Sequence, residues 1–388
     1  MYMSGNKINL IFDLSSTQPV KDTIRHGGGI YGEIVFERMA KMGYRFSAVY
    51  DSSLWLNPYI LDICRENSIE LYDLAHFKVE NIVQNHHDPL IYCPVSSILC
   101  NGVKTITTIH GLRKIEWPFD WFQLKYKNSF REIVIFFIRL FFRKYWRKRQ
   151  IDKMFRLLSN SRLKYVTVSK HSKYSFLSVF PEMKANEIDV YYSPNTSIND
   201  ESATPFMHPK KYFLLVSGNR WEKNNLRAMI ALDEIFAERP EFDDFCAIVT
   251  GVNDLNYYSY RFRCPDRFVC KGYVEDVVLD SLYAGCYALV YPSLNEGFGY
   301  PPIEAMRYGK PVAASAITSI PEVCGNAALY FNPWDYREIK NRLLMLMEGA
   351  CIDEYSKMAR ERYLYISKKQ EDDLNLLIEW IVSECDLY

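Results

Sequence analysis

Two glutamates with seven residues between them, Glu296 and Glu304, bracket the stretch Asn295-Glu296-Gly297-Phe298-Gly299-Tyr300-Pro301-Pro302-Ile303-Glu304. An apolar run, Ala288 to Tyr291, precedes it, and Pro302 is well placed in the first turn of a helix. Gly297 and Gly299 allow backbone amides to approach an anion closely. Such amides, together with the helix dipole, favour a phosphate or a developing negative charge. Glu304 is spaced to accept hydrogen bonds from the two hydroxyls of a ribose, a familiar use of a carboxylate in nucleotide sites. The plain alternative is a strand–loop–helix joint with a solvated glutamate at each side, since short motifs also match by chance.

A second cluster is the loop Gly218-Asn219-Arg220-Trp221-Glu222-Lys223-Asn224-Asn225, after the apolar run Tyr212 to Val216. Arg220 and Lys223, on a glycine loop that opens a helix, can neutralise a diphosphate. Alone, such charges are usually just solvated. His110 closes the β-branched run TITTIH, and ligands of α/β sheets sit at the carboxyl ends of strands. A lone histidine is more often structural. Arg113 and Lys114 follow it and are placed to face anionic groups. The run Gly27-Gly28-Gly29 falls short of a full dinucleotide fingerprint. It reads either as a close-approach loop or as a flexible surface turn. Ser169 reads as a helix N-cap.

These residues are carried by alternating strand and helix patterns. In the first half, strands are expected at 8–14, 46–50, 90–93, 105–109, 165–168 and 188–192. Helices are expected at 30–42, 58–66 and 170–179. Residues 193–211 are polar and proline-containing and read as a linker. The pattern then restarts, with strands at 212–216, 246–250, 268–271, 288–291, 311–314 and 328–331. Helices are expected at 225–237, 277–283, from 302, at 335–348, 353–367 and 371–384. Strands alternating with helices imply a parallel, doubly wound sheet in each half.

The 388 residues fit two domains, with 48% hydrophobic and 24% charged residues. That composition excludes collagen, a long coiled coil and a disordered chain. Lys+Arg and Asp+Glu both number 47, so no global field argues for nucleic acid. The ten cysteines show no CxxC and no zinc spacing, and read as buried thiols of a reducing compartment. No signal peptide and no spanning helix are expected, which places the protein in the cytoplasm. Residues 117–157 stand apart, rich in Trp, Phe, Arg and Lys. They read either as an interfacial helix on an anionic membrane surface, at its inner face, or as a basic surface helix packed on its own domain.

The segment PSLNEGFGYPPIEAMRYGKPVAAS, with its E-x7-E spacing, resembles the signature region of retaining glycosyltransferases of family 4, which have the GT-B fold. Gly272-Tyr273-Val274 and Leu282-Tyr283 resemble the stretch before that signature, and Ile320-Pro321-Glu322-Val323 and Gly325 to Ala328 the stretch after it. Thr108 to Leu112 resembles the family's strand-end histidine, and Val166 to Ser169 the strand before the linker. The likeness is strong over 212–335 and weaker before 105 and across 117–157.

The resemblance implies an α/β protein of two Rossmann-like doubly wound domains facing across a cleft. An acceptor-side domain covers 1–195, a linker 196–211 and a nucleotide-sugar-binding domain 212–367. The helix at 368–388 packs back on the first domain or serves a dimer. By the same resemblance His110 meets the donor sugar near the reacting carbon, and Arg220 and Lys223 hold the leaving diphosphate, where charge builds in the transition state. Gly28 and Gly29 lie near the diphosphate and acceptor. Gly218 and Asn219 line the donor loop. Glu296, Gly297, Phe298, Gly299 and Tyr300 hold the sugar, and Glu304 the ribose. One departure stands out, because the family's lysine falls later in its loop, where this chain has Asn224 or Asn225.

The expected reaction is retaining transfer from a nucleotide-sugar to a saccharide or lipid-linked saccharide, in surface polysaccharide assembly. It needs no cofactor and no metal, the nucleotide-sugar being a substrate. A sugar phosphorylase, a nucleotide-sugar epimerase or a non-catalytic scaffold on the same fold are the alternatives.

Overall fold

The computed structural model describes residues 7–19, 26–96, 102–116, 119–126, 129–158, 160–195 and 203–385. Residues 196–202 of the expected linker, Cys100, and residues 117, 118, 127 and 128 of the basic aromatic stretch lie outside them. The chain divides into two compact units. One comprises Met1–Leu112, Arg149–Thr196 and Ser367–Tyr388, and the other Arg113–Lys148 and Ser197–Ile366.

The first unit is built on β1 (Lys7–Asp13), α1 (Gly27–Lys41), β2 (Arg45–Tyr50), α2 (Pro58–Glu66), β3 (Glu70–Asp73), α3 (Val79–Gln84), β4 (Leu90–Cys93) and β5 (Thr105–Ile109). Between β5 and the next strand come α4 (Arg113–Glu116), α5 (Phe130–Phe141) and α6 (Arg143–Leu158). Then follow β6 (Leu163–Thr167), α7 (Lys170–Val179) and β7 (Ile188–Val190). All seven strands are parallel, in the order β3-β2-β1-β4-β5-β6-β7. β1, β4 and β5 are buried almost throughout, as a sheet covered on both faces requires.

The second unit repeats the plan with β8 (Lys211–Leu215), α8 (Asn225–Glu238), β9 (Phe245–Thr250), β10 (Phe268–Lys271), α9 (Asp276–Gly285), β11 (Ala288–Tyr291), α10 (Tyr300–Arg307), β12 (Val312–Ser315), α11 (Ile320–Cys324), β13 (Ala328–Phe331), α12 (Tyr336–Met347) and α13 (Ile352–Ser383). Its six parallel strands run β10-β9-β8-β11-β12-β13, with Ala288 facing Phe213 where β11 meets β8. In each sheet the strand order reverses once, between β1 and β4 and between β8 and β11. Crevices at such switch points, beyond the strands' carboxyl ends, are where open α/β sheets bind ligands. The core of this unit packs Leu226, Met229, Leu232 and Ile235 of α8 and Ile339, Leu343 and Leu346 of α12 against the sheet.

Several local expectations change. The glycine run is not a loop: Gly27, Gly28 and Gly29 form the first turn of α1, capped by His26, whose Nδ1 accepts from the Gly29 amide at 3.0 Å. A Cβ on Gly29 would fall 2.5 Å from the Thr17 carbonyl oxygen, so glycine is needed for this close approach. The helices expected at 353–367 and 371–384 are one, α13 of 32 residues, because nothing helix-breaking separates them. Its last turns belong to the first unit, where Arg38 pairs with Glu371 and Asp373 accepts from the Tyr192 amide at 2.8 Å.

The segment 113–148 groups with the second unit rather than with residues 1–112. Tyr126 is buried in the second unit's core, where its hydroxyl accepts from the Leu226 amide at 2.9 Å, and Asp120 pairs with Arg227 at 2.8 Å. Among the described residues no helix is long and apolar enough to cross a membrane. The nine described cysteines are free thiols, and burial pushes Cys64, Cys286 and Cys324 up to about 12.

Candidate functional site

The switch point of the second sheet gathers the two loops singled out in the sequence, 216–225 after β8 and 292–299 after β11. Both lie at strand ends, and each then enters a helix, α8 or α10. Lys223 and Glu296 meet there, both buried, with Nζ donating to Oε1 at 2.6 Å. Tyr291, the last residue of β11, donates its hydroxyl to the same oxygen at 2.7 Å, and Ser293 donates at 2.5 Å. Lys223 also donates to the Tyr291 hydroxyl at 2.9 Å. Arg113 stands 3.6 Å from the other oxygen, Oε2.

The electrostatics follow from that packing. Burial alone would raise the Glu296 carboxyl. The charges of Lys223 and Arg113, with hydrogen bonds from Lys223 and Ser293, outweigh it and hold the group at about 2. Burial lowers Lys223 from the usual lysine value, with the Glu296 charge pulling the other way. Tyr291 is raised well above an ordinary tyrosine, by burial and then by the neighbouring carboxylate. Near neutral pH Glu296 is therefore a carboxylate and Tyr291 a neutral phenol.

The loop that carries Glu296 is pinned. The Ser319 hydroxyl reaches the carbonyls of Glu296 and Phe298, at 3.1 and 2.8 Å. Gly299 takes φ of 99°, a left-handed turn suited to glycine, and caps α10. Phe298 is buried, Gly297 and Tyr300 half-buried. Glu304 lies half-buried on α10 beside Tyr283. That tyrosine is wholly buried, and burial followed by the Glu304 charge raises its hydroxyl far above the ordinary value.

Arg220 is half-buried and turns to Glu222, with Nη2 at 2.7 Å from Oε1. Gly218 is buried and its carbonyl accepts from Tyr258 at 2.9 Å, while Asn219 is exposed and its carbonyl accepts from Tyr257 at 2.7 Å. Asn224, at the place where a lysine was expected, is wholly buried with φ of 59°. Its side-chain amide donates to the Pro292 and Pro333 carbonyls, so it ties loops together. Lys223 is thus spent on Glu296, and Arg220 is the loop's more accessible cation.

In the first unit, His110 lies just beyond β5, half-buried, and donates from Nε2 to the Pro94 carbonyl at 2.8 Å. A carbonyl only accepts, so Nε2 carries the hydrogen. The ring stands edge-on to Tyr31, 4.7 Å between centroids. Gly28 packs against Val95, so His110 and the first turn of α1 flank the same Pro94–Val95 exit from β4. Ser169 caps α7 and accepts from the Ser172 amide, as its position in the sequence suggests. Among the described residues no group of three or more His, Cys, Asp or Glu side chains could hold a metal ion.

The sequence reading missed Tyr291 and Ser293. The signal was present in their position, at a strand end five and three residues before Glu296, but either residue is commonplace there.

Comparison with known proteins follows this geometry. Residues 210–349 match the family model for glycosyl transferases group 1. The chain is 33% identical over 179 residues to the O-antigen chain mannosyltransferase RfbU of Salmonella typhimurium, covering 46% of this chain and 49% of that one. It is 44% identical over 88 residues to the serotype-specific mannosyltransferase WbdA of Escherichia coli, covering 23% of this chain and 10% of that one. The match therefore spans about half of the first relative's length and a small part of the second's. Anabaena HepE, solved in complex with UDP and glucose, superposes with a TM-score of 0.64 at 14% identity, over 97% of this chain and 100% of that one. The chain has the GT-B fold, and its second unit carries a stretch that matches glycosyl transferases group 1.

Proposed function

We propose that this protein is a retaining hexosyltransferase of family 4, with Glu296 and Glu304 as its E-x7-E pair. It moves a sugar from a nucleotide-sugar to a saccharide or lipid-linked saccharide in surface polysaccharide assembly. The observation that carries the reading is the buried Lys223–Tyr291–Ser293–Glu296 cluster at the switch point of the second sheet. Three donors saturate one carboxylate oxygen and fix the group's orientation. The ionised carboxylate can then accept from a sugar hydroxyl through its other oxygen. The mannosyltransferase names of RfbU and WbdA, and the UDP and glucose named with HepE, support a hexose carried on a nucleotide.

In this reading Glu304 holds the ribose hydroxyls and Arg220 answers the charge that grows on the leaving diphosphate. Lys223 keeps Glu296 ionised instead of reaching the phosphates directly. By resemblance to that family, His110 is the candidate to meet the donor sugar near its reacting carbon. Transfer with retention follows a front-face route in which the departing phosphate stays on the acceptor's side. Cationic side chains take the place of a divalent ion, so no metal is required.

The protein works in the cytoplasm, at the inner membrane face, with α5 as its contact. α5 buries only Phe136, while Phe130, Phe137, Ile138 and Phe141 stand exposed and Arg131, Arg139, Arg143 and Lys144 lie on or next to it. Exposed aromatics among bases suit an anionic lipid surface.

The direct test is release of nucleoside diphosphate from a panel of UDP-, GDP-, ADP- and dTDP-hexoses, with a membrane lipid extract as acceptor and EDTA present. One nucleotide should support turnover, unchanged by EDTA. Turnover lost in EDTA and regained with Mg²⁺ would remove the metal-free part. Formation of sugar phosphate on adding inorganic phosphate would favour a phosphorylase.

A further inference from the structure

Glu296 uses its two oxygens unequally. Oε1 accepts from Lys223, Tyr291 and Ser293, whereas Oε2 accepts no hydrogen bond among the described residues and has only Arg113 nearby, at 3.6 Å. Arg113 in turn makes no hydrogen bond among the described residues, and its side chain is 39% exposed. The pair stands too far apart for a hydrogen bond and close enough to share a small third group.

Arg113 is not on a loose tail. It opens α4, whose Glu116 accepts from the side-chain amide of Asn295, the residue before Glu296, at 3.2 Å. Ile115 of the same turn is buried, and its carbonyl accepts from Arg147 at 3.4 Å. Further along, Asp120 pairs with Arg227 and Tyr126 meets the Leu226 amide, which fixes this segment to the second unit. These contacts fix the segment that carries Arg113 beside the carboxylate.

The chemistry of a group that could sit between them follows from the two partners. It must donate to a carboxylate and accept from a guanidinium. A phosphate oxygen satisfies Arg113 but is repelled by Glu296, whose oxygen at this spot is ionised. An ammonium satisfies Glu296 but is repelled by Arg113. A hydroxyl both donates and accepts, and suits both. We propose that Arg113 and Glu296 Oε2 together read one hydroxyl of the donor's sugar, which makes Arg113 a specificity-determining residue of the donor site. The proposal rests on the nucleotide-sugar reading above and adds a residue and a ligand group to it. A site built to hydrogen-bond a hydroxyl discriminates strongly against the analogue that lacks it, because its own polar groups are then left unpaired.

Calorimetric titration of wild type, Arg113→Gln and Arg113→Lys tests this. The probes are UDP, GDP, their glucose and mannose conjugates, and 2-, 3-, 4- and 6-deoxy forms of whichever conjugate binds. In Arg113→Gln the sugar conjugate should bind about tenfold or more weaker, with the free nucleotide unchanged. Arg113→Lys should restore part of the loss. For one deoxy conjugate, and only one, wild type and Arg113→Gln should bind alike. Equal weakening of nucleotide and conjugate would overturn the proposal in favour of a phosphate ligand. So would an unchanged conjugate affinity, or the same penalty on every deoxy form. Wild type that binds no nucleotide and no conjugate would sink the donor reading itself, a different outcome from any of these. A urea midpoint for Arg113→Gln equal to wild type keeps misfolding out of the comparison.

Discussion

A carboxylate only 6% exposed keeps its charge inside a protein when other charges and donors answer it, and Glu296 has both. Its pKa of about 2 lies below the ordinary 4.5, so its ionised form adds stability above pH 4.5 that fades as pH falls through about 2. Replacing it removes that pH dependence and leaves Lys223 buried without a countercharge. Glu296→Gln should therefore lose about 3–5 kcal/mol at pH 7 by urea unfolding. It should also show a flatter fall in stability than wild type between pH 4.5 and 2.5. A variant as stable as wild type at pH 7 would mean the pair is not buried as described.

At this scale the sequence was partly legible. Glu296, Glu304, Arg220 and Lys223 stand out by residue type and spacing. Their partners do not. Nothing in the sequence tells that Lys223 turns inward to Glu296, or that Asn224 takes a left-handed conformation and is buried. Both sit at the end of the short 3-10 turn Trp221–Lys223, which Asn224 closes in its left-handed conformation.

Among the described elements, α5 carries an exposed apolar face that the fold does not explain. Phe141 is 84% exposed and Phe137 46%, and an apolar groove lined by Val134, Phe137, Ile138, Leu140, Phe141 and Phe142 opens along the helix. If that face meets an anionic bilayer, wild type should sediment with vesicles containing phosphatidylglycerol, less so in high salt, and far less with phosphatidylcholine alone. A Phe137→Glu, Phe141→Glu double variant should stay in the supernatant. Equal partition to neutral and anionic vesicles would contradict the assignment. Strand positions were the most legible elements, because apolar runs of four to six residues between turn signals have few other uses. β4, β5, β10, β11 and β13 fall where the pattern puts them. β3, α3 and α11 were not seen, being short and only partly apolar. The first turn of α1 was hidden because three glycines read as a loop. His26 supplies the cap that lets them start a helix.

For the whole molecule, doubly wound architecture in both halves was readable from the alternation of strand and helix, and both sheets reverse order once, as the fold requires. The family model matches 210–349, largely the part where the resemblance was strongest. Assignment of 113–148 was not readable, since chain order puts it in the first half. Its membership in the second unit rests on long-range contacts such as Tyr126 with Leu226. The central claim is that the second unit binds a nucleotide-sugar through the switch-point site, with Glu304 on the ribose. The most direct measurement is a thermal-shift panel of UDP, GDP, ADP, CMP and dTDP on wild type and Glu304→Ala, because ligand bound to the native state raises the melting temperature. A rise with one nucleotide in wild type that vanishes in Glu304→Ala is the predicted result. No rise with any nucleotide, or a rise that survives intact in Glu304→Ala, would contradict it.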